Sequence, residues 1–203
     1  VNSDLQKVWS DVLLSTNVIT NLQPKDLNID KSNNVLVAGN CLRSGQGKNI
    51  FTYRIKTNLT RKVIYYNNLQ NTSGDEDAAK IKTDGKGNVY VVGYQTSASN
   101  GKEYLTWKLN NKFVSAWIRT HNGEAGNGDD FANDLAFDNN NNVYVTGRTY
   151  TTVDSARATT IKYDTAGVVK FANDWIDGRE GTAIGYYNNA VFVKADNFAQ
   201  PNA

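Results

Sequence analysis

The sequence of 203 residues is poor in the residue types that build the commonest catalytic and metal sites. Its single cysteine, Cys41, and single histidine, His121, exclude an internal disulfide, a multi-cysteine metal site and any site that needs two imidazoles. No apolar run approaches the ~20 residues that a membrane-spanning helix needs. The 22 basic and 20 acidic residues are well mixed along the chain, which argues against a nucleic-acid-binding surface. We therefore expect a globular protein with no bound cofactor, no metal and no nucleic-acid partner.

A tandem repeat is the strongest feature of the chain. Three similar segments, Asp30–Gly39, Asp84–Gly93 and Asp138–Gly147, start 54 residues apart. The same offset relates Thr52, Thr106 and Thr160, each of which opens a Thr-x-(Lys/Arg)-apolar stretch. It also relates a set of apolar positions, namely Trp9, Val63, Trp117 and Phe171. A constant period at several landmarks is typical of a repeat architecture.

Each repeat unit is predicted to hold four short strands. The first strand shows the alternation of a pleated strand, with Leu27 and Ile29 on one face in the first unit. The other three are rich in β-branched and aromatic residues. They are predicted at Val35–Val37, Phe51–Lys56 and Lys62–Tyr66, at Val89–Val92, Tyr104–Leu109 and Ser115–Thr120, and at Val143–Thr146, Thr159–Tyr163 and Val169–Asn173. With two prolines and no convincing helical period, the fold class is all-β.

Polar turns connect the first and second strands of each unit. Asp30, Asp84 and Asp138 can each accept a hydrogen bond from the backbone two residues on, which starts an Asx-turn. The Asn and Gly residues that follow tolerate a positive φ. A calcium loop at residues 84–88 is the alternative, but it lacks the alternating acidic ligands and the distal Glu of an EF-hand. The glycine that recurs at 39, 93 and 147 is expected to end the second strand, in a left-handed conformation or at a close backbone contact.

The repeat resembles a known family. The stretches Asp129–Asp138, Asn142–Gly147 and Thr160–Gly167 are similar to the SBBP-type β-propeller repeat of bacteria, which has an Asp-rich lead-in, an Asn-Val-Tyr-Val-Thr-Gly strand and a Lys-Tyr-Asp strand end. The resemblance covers essentially the whole chain and is best in the third unit. It implies a β-propeller of 54-residue four-stranded blades, and surface or secreted binding and scaffold modules with no shared active site.

The register divides the chain into one domain with three complete blades and a shared or partial fourth. Residues 1–16 are predicted as the outer strand of a preceding or shared blade, residues 24–73, 74–127 and 128–178 as whole blades, and residues 179–203 as the first two strands of a further blade, at Thr182–Tyr187 and Ala190–Ala195. Three alternatives stay open: a fragment of a longer propeller, closure against another copy to give roughly eight blades, or a small four-bladed ring.

No catalytic signature is present. Gly45–Lys48 fails the phosphate-loop pattern, and there is no nucleophile elbow, zinc-protease motif or dinucleotide fingerprint. His121 is expected in a turn after the fourth strand, and Cys41 as a half-exposed thiol in a loop without a basic activator. Lys56, Lys108 and Lys162 recur in the third strands and are expected on a solvated face.

The loops at one rim of the propeller are the predicted ligand-binding region. Carboxylates precede the first strands, and aromatic and basic residues follow the second strands, so both groups meet at the same end of the sheets. Paired carboxylates can hydrolyse glycosides, but repeat-equivalent acids favour a structural role. The candidate residues are Tyr94, His121, Glu124, Asp129, Asp130, Arg148 and Tyr150.

These observations favour a non-catalytic module that binds a ligand or protein, or acts as a surface scaffold. A lectin-like carbohydrate-binding propeller is the alternative, and a carbohydrate-active enzyme is the third hypothesis. Expected partners are a protein or glycan ligand, or further propeller repeats or another copy that completes the ring. The family resemblance implies a bacterial extracellular or cell-surface location.

Overall fold

A computed structural model describes residues 19–56, 62–67, 74–124, 128–152, 155–175 and 178–196 of the chain. Every regular element within these ranges is a β-strand, as predicted. No helix in the described part is long and apolar enough to cross a membrane. The strand predicted within residues 1–16 lies outside the described residues.

The fourteen strands form three four-stranded sheets and one two-stranded sheet. The first sheet contains β1 (Ile19–Ile29), β2 (Val35–Arg43), β3 (Gln46–Ile55) and β4 (Lys62–Asn67). The second contains β5 (Glu76–Thr83), β6 (Val89–Ser97), β7 (Gly101–Leu109) and β8 (Ser115–His121). The third contains β9 (Phe131–Phe137), β10 (Val143–Thr152), β11 (Ser155–Tyr163) and β12 (Val169–Trp175). The fourth contains β13 (Glu180–Tyr187) and β14 (Ala190–Asp196).

All strand pairs are antiparallel, and strands that are neighbours in sequence are neighbours in each sheet. Apart from Lys56, the predicted second, third and fourth strands lie within observed ones. The first strands of consecutive sheets also contact one another, β1 with β5, β5 with β9 and β9 with β13. Each sheet is therefore a meander that starts at a common inner line and runs outward, which is the arrangement expected of propeller blades.

The hydrophobic cores lie between consecutive sheets. One core joins the first and second sheets around Ile81 and Trp107, another joins the second and third around Tyr90 and Leu135, and a smaller one joins the third and fourth around Ile184. Both faces of the inner strands are covered, so the residues of β6 from Val89 to Gly93 are all buried. This explains why the second strands read as continuous apolar runs instead of alternating ones.

The predicted Asx-turns are confirmed in all three units. Asp30 Oδ1 accepts hydrogen bonds from the backbone N–H groups of Ser32 and Asn34, at 2.8 and 2.9 Å, and Asp84 and Asp138 repeat this pattern. The residue three after each aspartate has a positive φ, which suits Asn and Gly. These residues are Asn33 (φ 59°), Gly87 (φ 80°) and Asn141 (φ 63°).

The turns between the third and fourth strands use the same geometry, which the sequence analysis did not anticipate. Asn110 Oδ1 accepts from the N–H groups of Lys112 and Val114, and Asp164 Oδ1 accepts from those of Ala166 and Val168. The positive-φ residue is Gly167 in the third sheet and Phe113 in the second. A φ of 65° is unusual for a residue as bulky as Phe113.

Side chains of the second sheet hold the outer turn of the third. Trp117 Nε1 and Lys108 Nζ donate to the carbonyl of Thr165, at 3.2 and 2.8 Å, and Arg119 Nε donates to that of Gly167. The prediction that the third-strand lysines lie on a solvated face is therefore wrong for Lys108, which is 7% exposed and whose pKa burial lowers. Both faces of β7 lie between sheets, so the cation is satisfied by the neighbouring turn.

Lys162 corrects the same prediction in the third sheet. Its Nζ lies 3.2 Å from Asp138 Oδ2 and 4.6 Å from the centroid of the Tyr144 ring. Lys56 is exposed, as expected. Two of the three third-strand lysines, Lys108 and Lys162, are therefore bonded within the packed structure.

The two end faces of the stack are exposed. Leu27 is 63% exposed, whereas its equivalents Ile81 and Leu135 are fully buried against the preceding sheet. Phe171 is 43% exposed, whereas its equivalent Trp117 is buried by the turn of the third sheet. These faces match the surfaces that are buried between consecutive sheets.

A candidate ligand site at the rim

A β-bulge recurs within each first strand. The register shifts between Pro24 and Asp26, and at the equivalent places in β5, β9 and β13. Each shift leaves one extra residue, and these are Lys25, Ala79, Asn133 and Thr182. Bulges bend a strand and re-aim its side chains, and they are common next to functional sites. Here they lie at the rim that the sequence analysis selected.

The bulge explains the repeated glycine of the second strands. Gly93 pairs with Ala78 just before the bulge, and a Cβ at this position would collide with the carbonyl oxygen of Asp77. A Cβ on Gly39 would collide in the same way with the carbonyl oxygen of Gln23, and a Cβ on Gly147 with that of Phe131. The predicted close backbone contact is confirmed, but none of the three glycines has a positive φ, and the prediction that they end the strand is wrong. The strands continue four or five residues further, to Arg43, Ser97 and Thr152.

A cavity of about 280 Å³ lies where the bulges of three sheets converge. Its polar walls come from Lys25, Asp77 and Asn133, and its aromatic walls from Tyr94 and Phe131. The bulged residues of the first, second and third sheets all line it. The cavity therefore combines a cation, a carboxylate and an amide with two aromatic rings.

Asp77 is the centre of the charge in this cavity. Its Oδ1 accepts a short hydrogen bond of 2.5 Å from Asn40 Nδ2 of the first sheet. The ammonium groups of Lys25 and Lys48 each lie 3.7 Å from its Oδ2. Burial opposes the charge on Lys48, but Tyr94, Asp77 and Asp75 raise the pKa of its ammonium above the ordinary value. Asp77 of the second sheet is therefore bonded to three side chains of the first sheet.

Tyr94 forms the aromatic side of the cavity together with Phe131. The two rings meet edge to face, with centroids 5.2 Å apart, and Lys102 Nζ lies 5.3 and 5.1 Å from their centroids. Burial raises the pKa of the Tyr94 hydroxyl, so it is a neutral donor at physiological pH. Tyr94 lies within β6 and not in a loop as expected, because the strand continues past Gly93.

Arg148 and Tyr150 extend this row of rings and cations along the rim, also within a strand, β10. The Arg148 guanidinium lies 4.8 Å from the centroid of Phe131 and 5.4 Å from that of Tyr150, and it pairs with Glu180 Oε2 at 3.4 Å. The structure thus brings Tyr94, Arg148 and Tyr150 together around Phe131. Of these three, Tyr94 lines the cavity.

The acidic candidates make structural contacts. The buried Asp130 accepts from Gly123 N at 2.6 Å and from Tyr150 N at 2.8 Å, one bond at each oxygen. Burial raises the pKa of this carboxyl, against the opposing effect of those two N–H donors. Asp129 Oδ2 accepts from Lys102 Nζ at 2.7 Å. These carboxylates join the strands of adjacent sheets at the rim.

His121 and Glu124 lie further out on the same rim. His121 is the last residue of β8, where it pairs with Tyr104, and the centroids of the two rings are 6.4 Å apart. Its electrostatic effect on the Asp130 carboxyl opposes the rise in pKa that burial causes there. Glu124 is exposed. Neither residue lines the cavity.

The prediction that Cys41 is half-exposed and in a loop is wrong. It lies in β2, is 1% exposed, and its thiol donates to the carbonyl of Asn49 at 3.6 Å. Burial raises the pKa of the thiol to about 11. A protonated, buried thiol is a poor nucleophile.

Sequence reasoning missed four of the residues around the cavity, namely Lys25, Asp77, Phe131 and Asn133. Lys25 and Asn133 are bulged residues, and Asp77 and Phe131 lie two positions before a bulge, which leaves no residue pattern of its own. The available signal was the 54-residue repeat, which makes Lys25 equivalent to Asn133 and Asp77 equivalent to Phe131. Among the described residues, no group of three or more His, Cys, Asp and Glu side chains could hold a metal ion.

One segment of the chain matches a model of a known protein family. A search of the curated proteins finds none that resembles the chain. The matched segment is residues 123–152, which includes the bulge of β9, the Asx-turn at Asp138 and Gly147. This segment fits the family model described as SBBP, beta-propeller repeat, so the resemblance seen in the sequence is confirmed over these residues.

Proposed function

We propose that the chain is a non-catalytic binding module that holds a small polar ligand, or a polar side chain of a protein ligand, in the rim cavity. The observation that carries this proposal is the convergence of three bulged strands on one cavity with a mixed polar and aromatic lining. The β-propeller repeat supports a binding or scaffold role. The family resemblance favours a bacterial extracellular or cell-surface location.

The size and lining of the cavity suit this role. Ligand pockets measure roughly 300–1,000 Å³ and combine apolar walls with a few placed polar groups. At about 280 Å³ the rim cavity is at the lower limit, so it fits one sugar ring or one side chain. Lys25 supplies a donor, Asp77 an acceptor and Asn133 an amide oxygen, since the Asn133 amide nitrogen is used by Glu180 and Gly181.

A carbohydrate is the second candidate ligand, and the aromatic pair favours it. Sugars have apolar C–H faces that pack on aromatic rings and hydroxyls that pair with carboxylates and amides. Tyr94 and Phe131 provide the rings, and Asp77 and Asn133 provide the polar partners. A glycan array followed by titration of the best hit by calorimetry tests this candidate.

The decisive variant is Tyr94→Ala, with Tyr150→Ala as the matched control. Both tyrosines lie on the rim in equivalent strands, but only Tyr94 is among the residues that line the cavity. Loss of Tyr94 is expected to weaken binding at least tenfold, and loss of Tyr150 less than threefold. Equal losses, or no effect of Tyr94→Ala on any bound ligand, would contradict the site. An array without hits would leave a protein ligand and remove the carbohydrate candidate.

Turnover of a bound glycan is the result that would replace the non-catalytic proposal. The paired carboxylates Asp129 and Asp130 are the residues to test, as Asp129→Asn with Asp130→Asn. Hydrolysis that disappears in this variant while its folding is retained would make the protein a carbohydrate-active enzyme.

We further propose that additional sheets of the same repeat complete the propeller ring. The exposed end faces around Leu27 and Phe171 are equivalent to faces that are buried between consecutive sheets. Light scattering of the purified chain tests the source of those sheets. If the chain forms a discrete dimer and Phe171→Lys dissociates it, the additional sheets come from a second copy. A monomer that does not aggregate would contradict the proposal, because both end faces would then be stable without a cover.

A further inference from the structure

A second cavity lies at the opposite end of the first two sheets from the rim. It measures about 310 Å³ and lies between the Asx-turn of residues 30–34 and that of residues 84–88. Three cations line it: Lys31, Arg54 and Lys86. We call it the base groove. It shares no residue with the rim cavity.

The cations of the base groove keep donors available for a ligand. Lys31 Nζ donates one bond of 2.6 Å to the carbonyl of Gly85, and Arg54 Nη1 donates one of 3.2 Å to that of Asn111. The Arg54 guanidinium lies 4.5 Å from the centroid of the Phe113 ring, and its buried Nε has no hydrogen-bond partner in the structure. An ammonium has three donors and a guanidinium five, so most of them are unused by these contacts.

The one carboxylate among the residues that line the groove already accepts three hydrogen bonds within its own turn. Asp30 Oδ1 accepts from the N–H groups of Ser32 and Asn34, and its Oδ2 accepts from Asn34 Nδ2 at 2.8 Å. Asp30 therefore serves the turn and neutralises only part of the charge of Lys31, Arg54 and Lys86. The groove is left with an excess of positive charge.

Departures from the repeat create this groove. At the next interface, between the second and third sheets, Asn141 stands where the base groove has Gly87, and its Oδ1 accepts from Gly85 N at 2.7 Å. The asparagine fills the space between the turns, since a Cβ on Gly85 would lie 2.5 Å from that oxygen. At this second interface, the positions equivalent to Lys31 and Lys86 are occupied by Gly85 and Asn140. The position of Arg54 keeps a cation, Lys108, so the two interfaces differ in the lysines at 31 and 86 and in the space that Asn141 fills.

We propose that the base groove binds a phosphate or sulfate group, either as the free oxyanion or carried on a sugar. Arg and Lys bind such oxygens through charge-assisted hydrogen bonds, which are stronger than neutral ones. The lower-limit volume leaves room for the anion and a small organic part. This site is independent of the function proposed for the rim.

The test is a titration of the whole isotope-labelled chain with inorganic sulfate, followed through the amide NMR signals of Gly85, Lys86 and Gly87. Sodium chloride at matched ionic strength is the reference. The expected result is a saturable shift of these signals with sulfate and no saturable shift with chloride. Non-saturating shifts, or shifts that chloride reproduces, would overturn the proposal.

Two variants address the groove directly. Lys31→Gln with Lys86→Gln removes two cations, and Gly87→Asn places in the groove the residue that fills the next interface. The positive φ of Gly87 suits asparagine, because Asn33 and Asn141 adopt it at the equivalent positions. Both changes should weaken sulfate binding at least tenfold. The exposed Lys170, which pairs with Asp164 at 2.9 Å in another hairpin, gives the matched control Lys170→Gln, expected to bind as before. Equal affinity in the control and the lysine variant would refute the site.

A sulfated disaccharide from heparin distinguishes the two sources of the anion. Binding at least tenfold tighter than that of inorganic sulfate assigns the group to a sugar, and equal binding assigns it to the free oxyanion. In either case the lysine variant must lose the affinity. If it does not, the disaccharide binds elsewhere and the proposal fails.

Discussion

At the scale of single residues, the glycine of each second strand is determined by the bulge opposite it. The carbonyl of Asp77 occupies the place that a Cβ of residue 93 would need. Gly93→Ala forces backbone to move at a packed interface, and overpacking of this kind costs typically 1–3 kcal/mol. We expect Gly93→Ala to lower the free energy of unfolding by about 3 kcal/mol, measured by urea denaturation.

Gly185→Ala is the control for this prediction. Gly185 also lies within a strand, but a Cβ there meets no atom within 4 Å. Its free energy of unfolding should change by less than about 0.5 kcal/mol. A similar loss in both variants would mean that glycine is needed for strand flexibility and not for the close contact with the bulge.

Asp138 gives a prediction for the pH dependence of stability. Burial opposes its ionisation, but hydrogen bonds from Asn142, Lys162 and Asn140 outweigh it and lower the pKa of the carboxyl below the ordinary value of 3.8. A carboxyl whose pKa is lowered in the folded state stabilises the fold fully above its ordinary pKa, and this stabilisation is lost progressively as the pH falls from that value through the lowered pKa of the folded state. Asp138→Ala should therefore cost about 2 kcal/mol at pH 7 and clearly less at pH 3.

Asp138→Asn and Asp164→Ala test the cause of this effect. Asparagine keeps one oxygen for the Asx-turn, as Asn110 does in the second sheet, so its loss at pH 7 should be smaller than that of alanine. Asp164 makes the same bonds in the turn between the third and fourth strands, but its side chain is 22% exposed against 6% for Asp138, so its loss should cost less. A cost of Asp138→Ala that stays constant between pH 3 and pH 7 would exclude the carboxylate charge as its source.

At the scale of elements, the fourth strand of one sheet is held by the outer turn of the next. Trp117 packs on Gly167, donates to the Thr165 carbonyl and carries the Arg119 guanidinium 5.7 Å from its ring. Truncation of a buried tryptophan costs roughly 3–5 kcal/mol, so Trp117→Ala should lose about 4 kcal/mol. Phe171→Ala, at the equivalent but exposed position, should lose less than about 0.5 kcal/mol. Equal losses in a monomer would contradict this account of the sheet-to-sheet contact.

The elements themselves were predictable because turn chemistry is local. The Asp, Asn and Gly residues of the first turn showed where the first strand ends and the second begins. The 54-residue period then allowed the same prediction for every unit. The length of the second strands was not predictable. Gly93 was predicted to end its strand, but a glycine is needed there because the bulge of the neighbouring strand leaves no room for a Cβ.

Lys108 was misplaced because a strand between two sheets has no solvated face. Cys41 was misplaced because β2 continues past Gly39 and the side chain packs in a cluster with Phe51 and Tyr53. The rim cavity depends on contacts among three sheets, which single-strand patterns do not encode.

At the scale of the whole molecule, one framework carries two chemically different ends. The rim brings together bulged residues, aromatic rings and Asp77, while the base groove brings together three cations where the repeat departs from its own pattern. The Asx-turns, the inter-sheet cores and the glycines opposite the bulges occur in each complete unit and serve stability. Residues that differ between equivalent positions are therefore the ones in which to look for ligands.

The stack of sheets also predicts a gradient of local stability. The fourth sheet has two described strands, and an isolated two-stranded sheet is marginally stable. It is held by a small core around Ile184, and one face of it exposes Phe192. In hydrogen exchange measured by mass spectrometry, peptides from β14 should exchange at least tenfold faster than those from its equivalent β10, because low-stability units open locally before the whole domain unfolds.

Concentration distinguishes the two explanations of any departure from this gradient. If β14 is as well protected as β10 in a dilute sample, the two-stranded sheet is intrinsically stable and the gradient is wrong. If protection of β14 appears only as the protein concentration rises, another copy covers its open edge, and Phe171→Lys should abolish that protection without slowing or speeding exchange in β6. Because β6 lies inside the stack with both faces buried, it reports global unfolding and serves as the internal reference for both outcomes.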